Sequence, residues 1–427
     1  MTQKTFGKKS LLAITIICAF STAVTADNNT TKPSSSNNIS STSGLMFGSK
    51  TDPYWFKLGG AVVFEQKAFI GNDIAKGNEF HGGANIRNFE IDLDGGLGQP
   101  NITYTLVTKY ETKDKKVGLD DAYITYGITN KFTVSVGQVL PGFSLESASS
   151  SKWIPFFDRS MATHALGTDL GLGVNVSKWD NQYTFIAAAM QPKQAAEPTD
   201  GTSGSTYMKR DDRWQTSARF AYRPIFEGTK ILQIGASGYF QDDHSASKKF
   251  KSHGEAGARH NTELLNTGYI TASNHKALDF EIAGQNGPFY AEAEYERVFV
   301  TRPEGSDRLH FDGYHVVASY VLTGEAKTFR DFNGTFGQVK PACPQGAWEV
   351  ATKYSVLNLN NKKVQGGKAK NVALGLNYYL NNNIKVSGEY IHSLQQPSQI
   401  TLTGTEAISN KEKRNLNIFG LRLQAVF

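Results

Sequence analysis

Three arginines carry the first chemical signal. Arg213, Arg219 and Arg223 are separated by even numbers of residues, so on an extended strand they share one face with Gln215 and Ser217. Guanidinium groups bind phosphate and carboxylate bidentately, so such a ladder suits anions. Two runs carry the opposite sign. Glu292, Glu294 and Glu296 alternate with Ala291, Ala293 and Tyr295, and Asn88, Glu90 and Asp92 share a face in the same way. Facing walls of opposite sign would orient polar solutes and disfavour apolar ones.

Nothing in the chain reads as a catalytic constellation. Gly235-Ala-Ser-Gly238 has the wrong spacing for a nucleophile elbow. Gly171-Leu-Gly173 lacks the third glycine of a dinucleotide loop. The nine histidines form no H-E-x-x-H pair, and His253 and His260 read as surface polar residues. The expectation is a protein that is not an enzyme, with no cofactor and no metal. The net charge of +6 over 427 residues is too small and dispersed for nucleic acid.

The elements that would position these residues are strands. From Trp55 onward the dominant period is two, as in Ile384–Tyr390, Leu374–Tyr378 and Trp348–Tyr354. Sixteen segments read this way: 55–65, 84–94, 102–112, 119–127, 132–140, 170–179, 183–191, 214–224, 231–241, 276–283, 289–299, 313–322, 347–359, 371–380, 384–392 and 416–427. Each is the length a tilted strand needs to cross a bilayer. Short turns at 127–131, 179–182 and 381–383 alternate with long connections at 66–83, 141–169, 192–213, 242–275 and 393–415. That asymmetry is the pattern of an outer-membrane barrel. By parity 323–346 belongs to the short-turn side, yet it is long, so it is expected to fold into or under the barrel mouth. Trp55, Tyr110, Tyr126, Trp179, Trp214, Tyr295, Tyr354 and Tyr378 are assigned to interface girdles or lipid faces.

Residues 1–26 read as a signal peptide, with Lys4, Lys8 and Lys9 before an apolar run and small residues ahead of cleavage after Ala26. Residues 27–53 are rich in Asn, Ser and Thr and read as a flexible periplasmic lead to a barrel domain over 54–427. Cys343 is alone after the signal, so no internal disulfide is expected. Phe419, Leu421, Leu423, Ala425 and Phe427 alternate down to an aromatic that resembles the C-terminal sorting signal of outer-membrane barrels.

Ordered blocks then point to a family. They run from Leu119-Asp-Asp-Ala-Tyr123, Val136-Gly-Gln138, Pro141-Gly-Phe-Ser-Leu-Glu146 and Asp158-Arg-Ser160 through Leu232–Ser237, Asn266-Thr-Gly268, Gly287-Pro-Phe289 and Glu294-Tyr295. They end with Val321–Glu325, Gly346–Val350, Gly375–Tyr379 and Tyr390-Ile-His392. The chain resembles the phosphate-selective porin O and P family of Gram-negative outer membranes. The resemblance implies a sixteen-stranded antiparallel transmembrane β-barrel, trimeric, with an inward-folded third loop and further narrowing by the fifth loop and the long periplasmic turn. It implies an arginine ladder in the lumen, with Arg219 at a family arginine position and Lys353 where the family has arginine.

Arg213, Arg219, Arg223 and Lys353 are therefore expected on the anion path, and Lys152, Arg159, Lys327 and Arg330, with Lys340, at the constriction or in loop-to-wall ion pairs. Glu90, Asp92, Glu292, Glu294 and Glu296 form the acidic wall. Asn88 and Glu90 replace arginines of the family pattern, which argues for weak, mildly anionic selectivity. The expected partners are outer-membrane lipids, small ions and hydrophilic solutes, with phosphate among them. The alternative reading is a surface barrel that binds a host or adheres through its long loops.

Overall fold

The computed structural model describes residues 44–70, 82–111, 116–192, 213–252, 265–396, 398 and 414–427. The expected signal peptide, most of the lead, and His253 and His260 lie outside the described residues. Sixteen long antiparallel strands close into one barrel. They are β1 (Phe56–Ile70), β2 (Gly83–Gly96), β3 (Ile102–Glu111), β4 (Lys116–Thr129), β5 (Phe132–Val139), β6 (Gly171–Trp179), β7 (Tyr183–Pro192) and β8 (Gln215–Glu227). The second half comprises β9 (Lys230–Lys248), β10 (Ile270–Asn286), β11 (Phe289–Thr301), β12 (Leu309–Val321), β13 (Ala347–Asn361), β14 (Val364–Tyr379), β15 (Ile384–Gln396) and β16 (Arg414–Val426). Each pairs with the next, and β1 pairs with β16 from Ala61↔Val426 to Ile70↔Asn417, which leaves no open edge. At the seam the Phe427 amide and carbonyl both bond to Gly60, at 3.0 and 2.8 Å.

All sixteen expected strands form, and the differences lie at their outer ends. Pairing continues to Lys248↔Ile270, deep into the stretch expected as the fifth loop. The apolar alternation stops where the strands leave the membrane band, but the backbone ladder does not need it. Leu45–Phe47, within the expected lead, pairs with the start of β1. Trp55 is also not a girdle residue: it is only 9% exposed and lies under Gly96. Other aromatics do stand on the outer surface, among them Trp214, Phe220, Tyr222, Tyr314, Tyr320 and Trp348.

The barrel interior is packed from both ends. The third loop, 140–170, carries two short helices, α1 (Leu145–Ala148) and α2 (Met161–Leu166), each capped by a serine hydroxyl, Ser144 and Ser160. Met161, Ala165 and Leu166 pack with Phe143, Phe250, Leu265, Phe311 and Leu357 in an apolar cluster inside the barrel. The long 323–346 connection folds inward, as expected. Its hairpin, Lys327–Arg330 with Thr335–Val339, buries Phe336 against Leu145, Ile231 and Tyr290.

Gly137 is needed where β5 meets β4. Its φ is +138°, and a Cβ there would sit 2.2 Å from the Ala122 carbonyl oxygen. Replacing Gly137 with valine is expected to cost about 1–3 kcal/mol through forced separation of the two strands. Thermal unfolding in detergent, followed by the gel shift of folded against unfolded barrel, measures it; an unchanged midpoint would refute the role.

Candidate functional site: a loop-narrowed lumen

Strand alternation puts the expected charges inside. In β8, Gln215, Ser217, Arg219 and Arg223 are buried while Ala218, Phe220 and Tyr222 face outward. In β11, Tyr290, Glu292, Glu294 and Glu296 are buried. In β2, Asn88 and Glu90 are buried and Asp92 half-buried. What these groups touch differs from a ladder bathed in water.

Arg219 is 1% exposed and grips Glu281 bidentately, Nε to Oε2 at 2.8 Å and Nη2 to Oε1 at 2.7 Å. Its other donors go to the Asn333 and Gly334 carbonyls of the periplasmic hairpin, at 2.6 and 3.2 Å. Arg223 donates to the Asn181 and Asp180 carbonyls, to Thr184 Oγ1 and to Gln233 Oε1, and lies over the Phe329 ring. Both arginines therefore seat the hairpin and turn at the lower mouth. Arg213 precedes β8 and is half-buried.

The acidic wall holds the third loop. Glu294 accepts the Leu145 and Glu146 amides at 2.7 and 2.8 Å, at the start of α1. Glu296 accepts the Thr163 hydroxyl at 2.6 Å. Glu389 of β15 accepts the Phe157 amide at 2.7 Å. Cations take the loop carbonyls: Lys353 that of Asp158 at 3.0 Å, Arg422 that of Phe157 at 2.7 Å, and Lys385 that of Lys152 at 3.1 Å. Phe156 and Phe157 lie over Gly375 and Gly420, whose missing side chains let the loop lie close to the wall. None of Glu281, Glu389, Lys385 or Arg422 was singled out in the sequence; inward register on polar-rich strands was the available signal.

Inside the loop, Arg159 is a staple, donating to the Glu146, Ser147 and Ser149 carbonyls at 3.0, 3.3 and 2.9 Å. Glu146 accepts the Ser160 amide on both oxygens, at 2.9 Å each. Burial would raise the Glu146 carboxyl, but His315, Lys353 and the Ser160 amide hold it down at about 2. Asp158 meets Arg87 at 2.5 Å and Lys67 at 3.4 Å. Burial opposes its charge too, yet Arg87, Lys67 and Arg422 keep its carboxyl well below the ordinary value of 3.8.

The loop tip and the hairpin converge on a cavity of about 260 Å³ lined by Lys57, Asp92, Asp94, Ser150, Lys152, Trp153, Arg330 and Phe427. Lys152 reaches Glu90, and Asp92 at 2.9 Å, as a loop-to-wall pair. Lys327 is drawn away from the cavity to Glu349, at 2.7 Å. Arg330 has no carboxylate partner among the described residues.

This architecture can be set beside known proteins. The model of the family "Phosphate-selective porin O and P" matches residues 62–427. The chain belongs to that family. It is a porin of the bacterial outer membrane. Porin O of Pseudomonas aeruginosa is 27% identical over 83% of this porin and 86% of its own length. Among solved structures, the trimer form of in-vitro folded OmpT from Vibrio cholerae superposes with a TM-score of 0.55 at 13% identity, covering 88% of this porin and 100% of that chain. The anion-selective porin from Comamonas acidovorans gives 0.52 at 14% identity, again over 88% of this porin and 100% of that chain. At these identities the structures speak for the fold.

Two substitutions test the fastening. Arg219→Ala leaves Glu281 buried without its partner and is expected to destabilise the folded porin by about 3–5 kcal/mol; a midpoint of thermal unfolding within a degree of wild type would refute this. Because folding depresses the Asp158 pKa, its ion pairs contribute in full above the unfolded value of 3.8 and are lost only as pH falls through the lower folded value. Wild-type single-channel current should thus stay steady from neutral pH to about 4, and Asp158→Asn should show an open-level noise already at pH 7 that wild type lacks.

Proposed function

We propose that this porin passes small hydrophilic anions, phosphate among them, by passive diffusion, and that selectivity is set where the third loop meets the periplasmic hairpin. The observation that carries the reading is the cavity between these two inserts. Lys57, Lys152 and Arg330 line it against Asp92 and Asp94, and Lys152 is already neutralised by Glu90 and Asp92. Arg330, on the insert that narrows the passage, and Lys57, on the wall, are then the cations that meet a passing anion. A guanidinium in a narrow passage of mixed sign favours anions modestly and does not exclude cations.

The arginine ladder takes a different part in this reading. Arg219 and Arg223 position the hairpin that carries Arg330, and act on the solute through it. Family membership and the likeness to an anion-selective Comamonas porin support anion passage; the Vibrio trimer form supports assembly as a homotrimer embedded in lipid through its apolar outer face. We further assign residues 1–26 as the signal peptide and the Phe427 end as the sorting signal. Diffusion through the lumen calls for no catalytic group or cofactor.

Planar-bilayer reversal potential across a KCl gradient tests the proposal. Wild type should reverse toward the anion potential, and added phosphate should lower KCl conductance. Arg330→Glu should shift the reversal toward cations and weaken the phosphate effect, while Arg159→Lys should do neither. A cation-selective wild type, or an Arg330→Glu channel with unchanged reversal, would sink it.

A further inference from the structure

Away from the cavity, the third loop meets the wall at a buried group that hydrogen bonding leaves unfinished. His315 of β12 is fully buried, and neither ring nitrogen has a hydrogen-bond partner. Three carboxylates surround the ring. Glu146 Oε2, from α1, lies 3.9 Å from Nδ1; Glu292 Oε1 and Glu294 Oε1, from β11, lie 3.8 and 3.6 Å from Nε2. These separations are too long for hydrogen bonds, which run at about 2.7–3.2 Å. A single ion takes one ring nitrogen, and on the Nε2 side the 3.6 and 3.8 Å separations approach the roughly 3.4 Å between two donors bound to one tetrahedral ion at bond lengths of about 2.0–2.2 Å.

One donor atom each from Glu146, Glu292 and His315 lie within 4.8 Å of one another. The carboxylates are already aimed. The Ser160 amide holds Glu146, the Tyr290 hydroxyl holds Glu292 Oε2, and Glu294 is fixed by the two α1 amides. Such outer contacts orient metal ligands and leave the remaining lone pairs free. The charge count points the same way. Three buried carboxylates face one imidazole, and even with Lys353 acting on Glu146 the acids outnumber the cations, an excess that is costly to bury.

We infer that Glu146, Glu292 and His315 form a divalent transition-metal site that clips the third loop to the barrel wall. One imidazole with carboxylate oxygens suits zinc, manganese or cobalt better than calcium or magnesium, which prefer all-oxygen shells. Glu294 stands by as the nearest further oxygen. The ligands come from three elements, and one of them belongs to the loop that narrows the lumen. Metal binding therefore stabilises the narrowed state over any state with the loop displaced.

The test uses the full folded porin, stripped with EDTA, dialysed and titrated with ZnCl₂ by calorimetry, with bound zinc counted after gel filtration. Wild type should keep about one zinc per chain and unfold at a higher temperature with zinc than without. Glu146→Gln lies outside the strands, so it tests the site even if His315→Ala fails to fold. Both variants should lose at least about tenfold in zinc affinity and lose the thermal shift. His392→Asn, elsewhere in the barrel, should match wild type. A wild type that retains no zinc, or a Glu146→Gln variant that binds as tightly, would overturn the inference.

Discussion

Every peptide N–H and C=O placed in hydrocarbon needs a partner within the protein, and that requirement shapes the whole molecule. Sixteen strands meet it by closing on themselves, with the Gly60–Phe427 bonds completing the ring beside β16. Closure then divides the side chains. One set faces lipid and is apolar; the other is forced inward, where charge is tolerated only if it is answered.

The same requirement returns inside the lumen. A loop folded into a barrel brings its own peptide groups, packed too tightly against the wall for water to serve them all. The wall's charged side chains answer by sign. Carboxylates of Glu294 and Glu389 take loop amides, and Lys353, Lys385 and Arg422 take loop carbonyls. Charges that would attract solutes in an open pore are thereby occupied with the backbone. The sign of the lumen cannot be obtained by counting its inward residues, because acids and bases here are mostly partners of the third loop or the periplasmic hairpin.

This division also explains what was legible in the sequence. Alternation is a local property, so the strands and the inward register of Arg219, Glu292, Glu294 and Glu296 could be read directly. The limits of β9 and β10 could not, because past the membrane band the ladder continues without the apolar marker. Pairings were out of reach for another reason. Leu145 and Glu294 are 149 residues apart, and Arg219 meets a hairpin more than a hundred residues downstream. The sequence supplied a face for each charge and no partner. Hence Arg219, read as a lumen residue on the anion path, anchors the hairpin through its carbonyls, and of the two readings open for Lys327, constriction or ion pair, the Glu349 contact is the second. Glu146, Glu292 and His315 converge from three elements, which no spacing rule could have joined.

The third loop has a consequence for assembly order. Lys67, Arg87, Glu90 and Asp92 on the first two strands hold Asp158 and Lys152, but the loop's other wall partners follow it in the chain, from Ser217 of β8 to Gln424 of β16, the last 272 residues from its contact at Lys152. The loop has only part of its seat until those strands have joined the sheet. A barrel still missing its final strand lacks the Arg422 and Gln424 contacts at Phe157 and Lys152. The loop is thus held from both ends of the chain, and its full set of fastenings exists only in the closed ring.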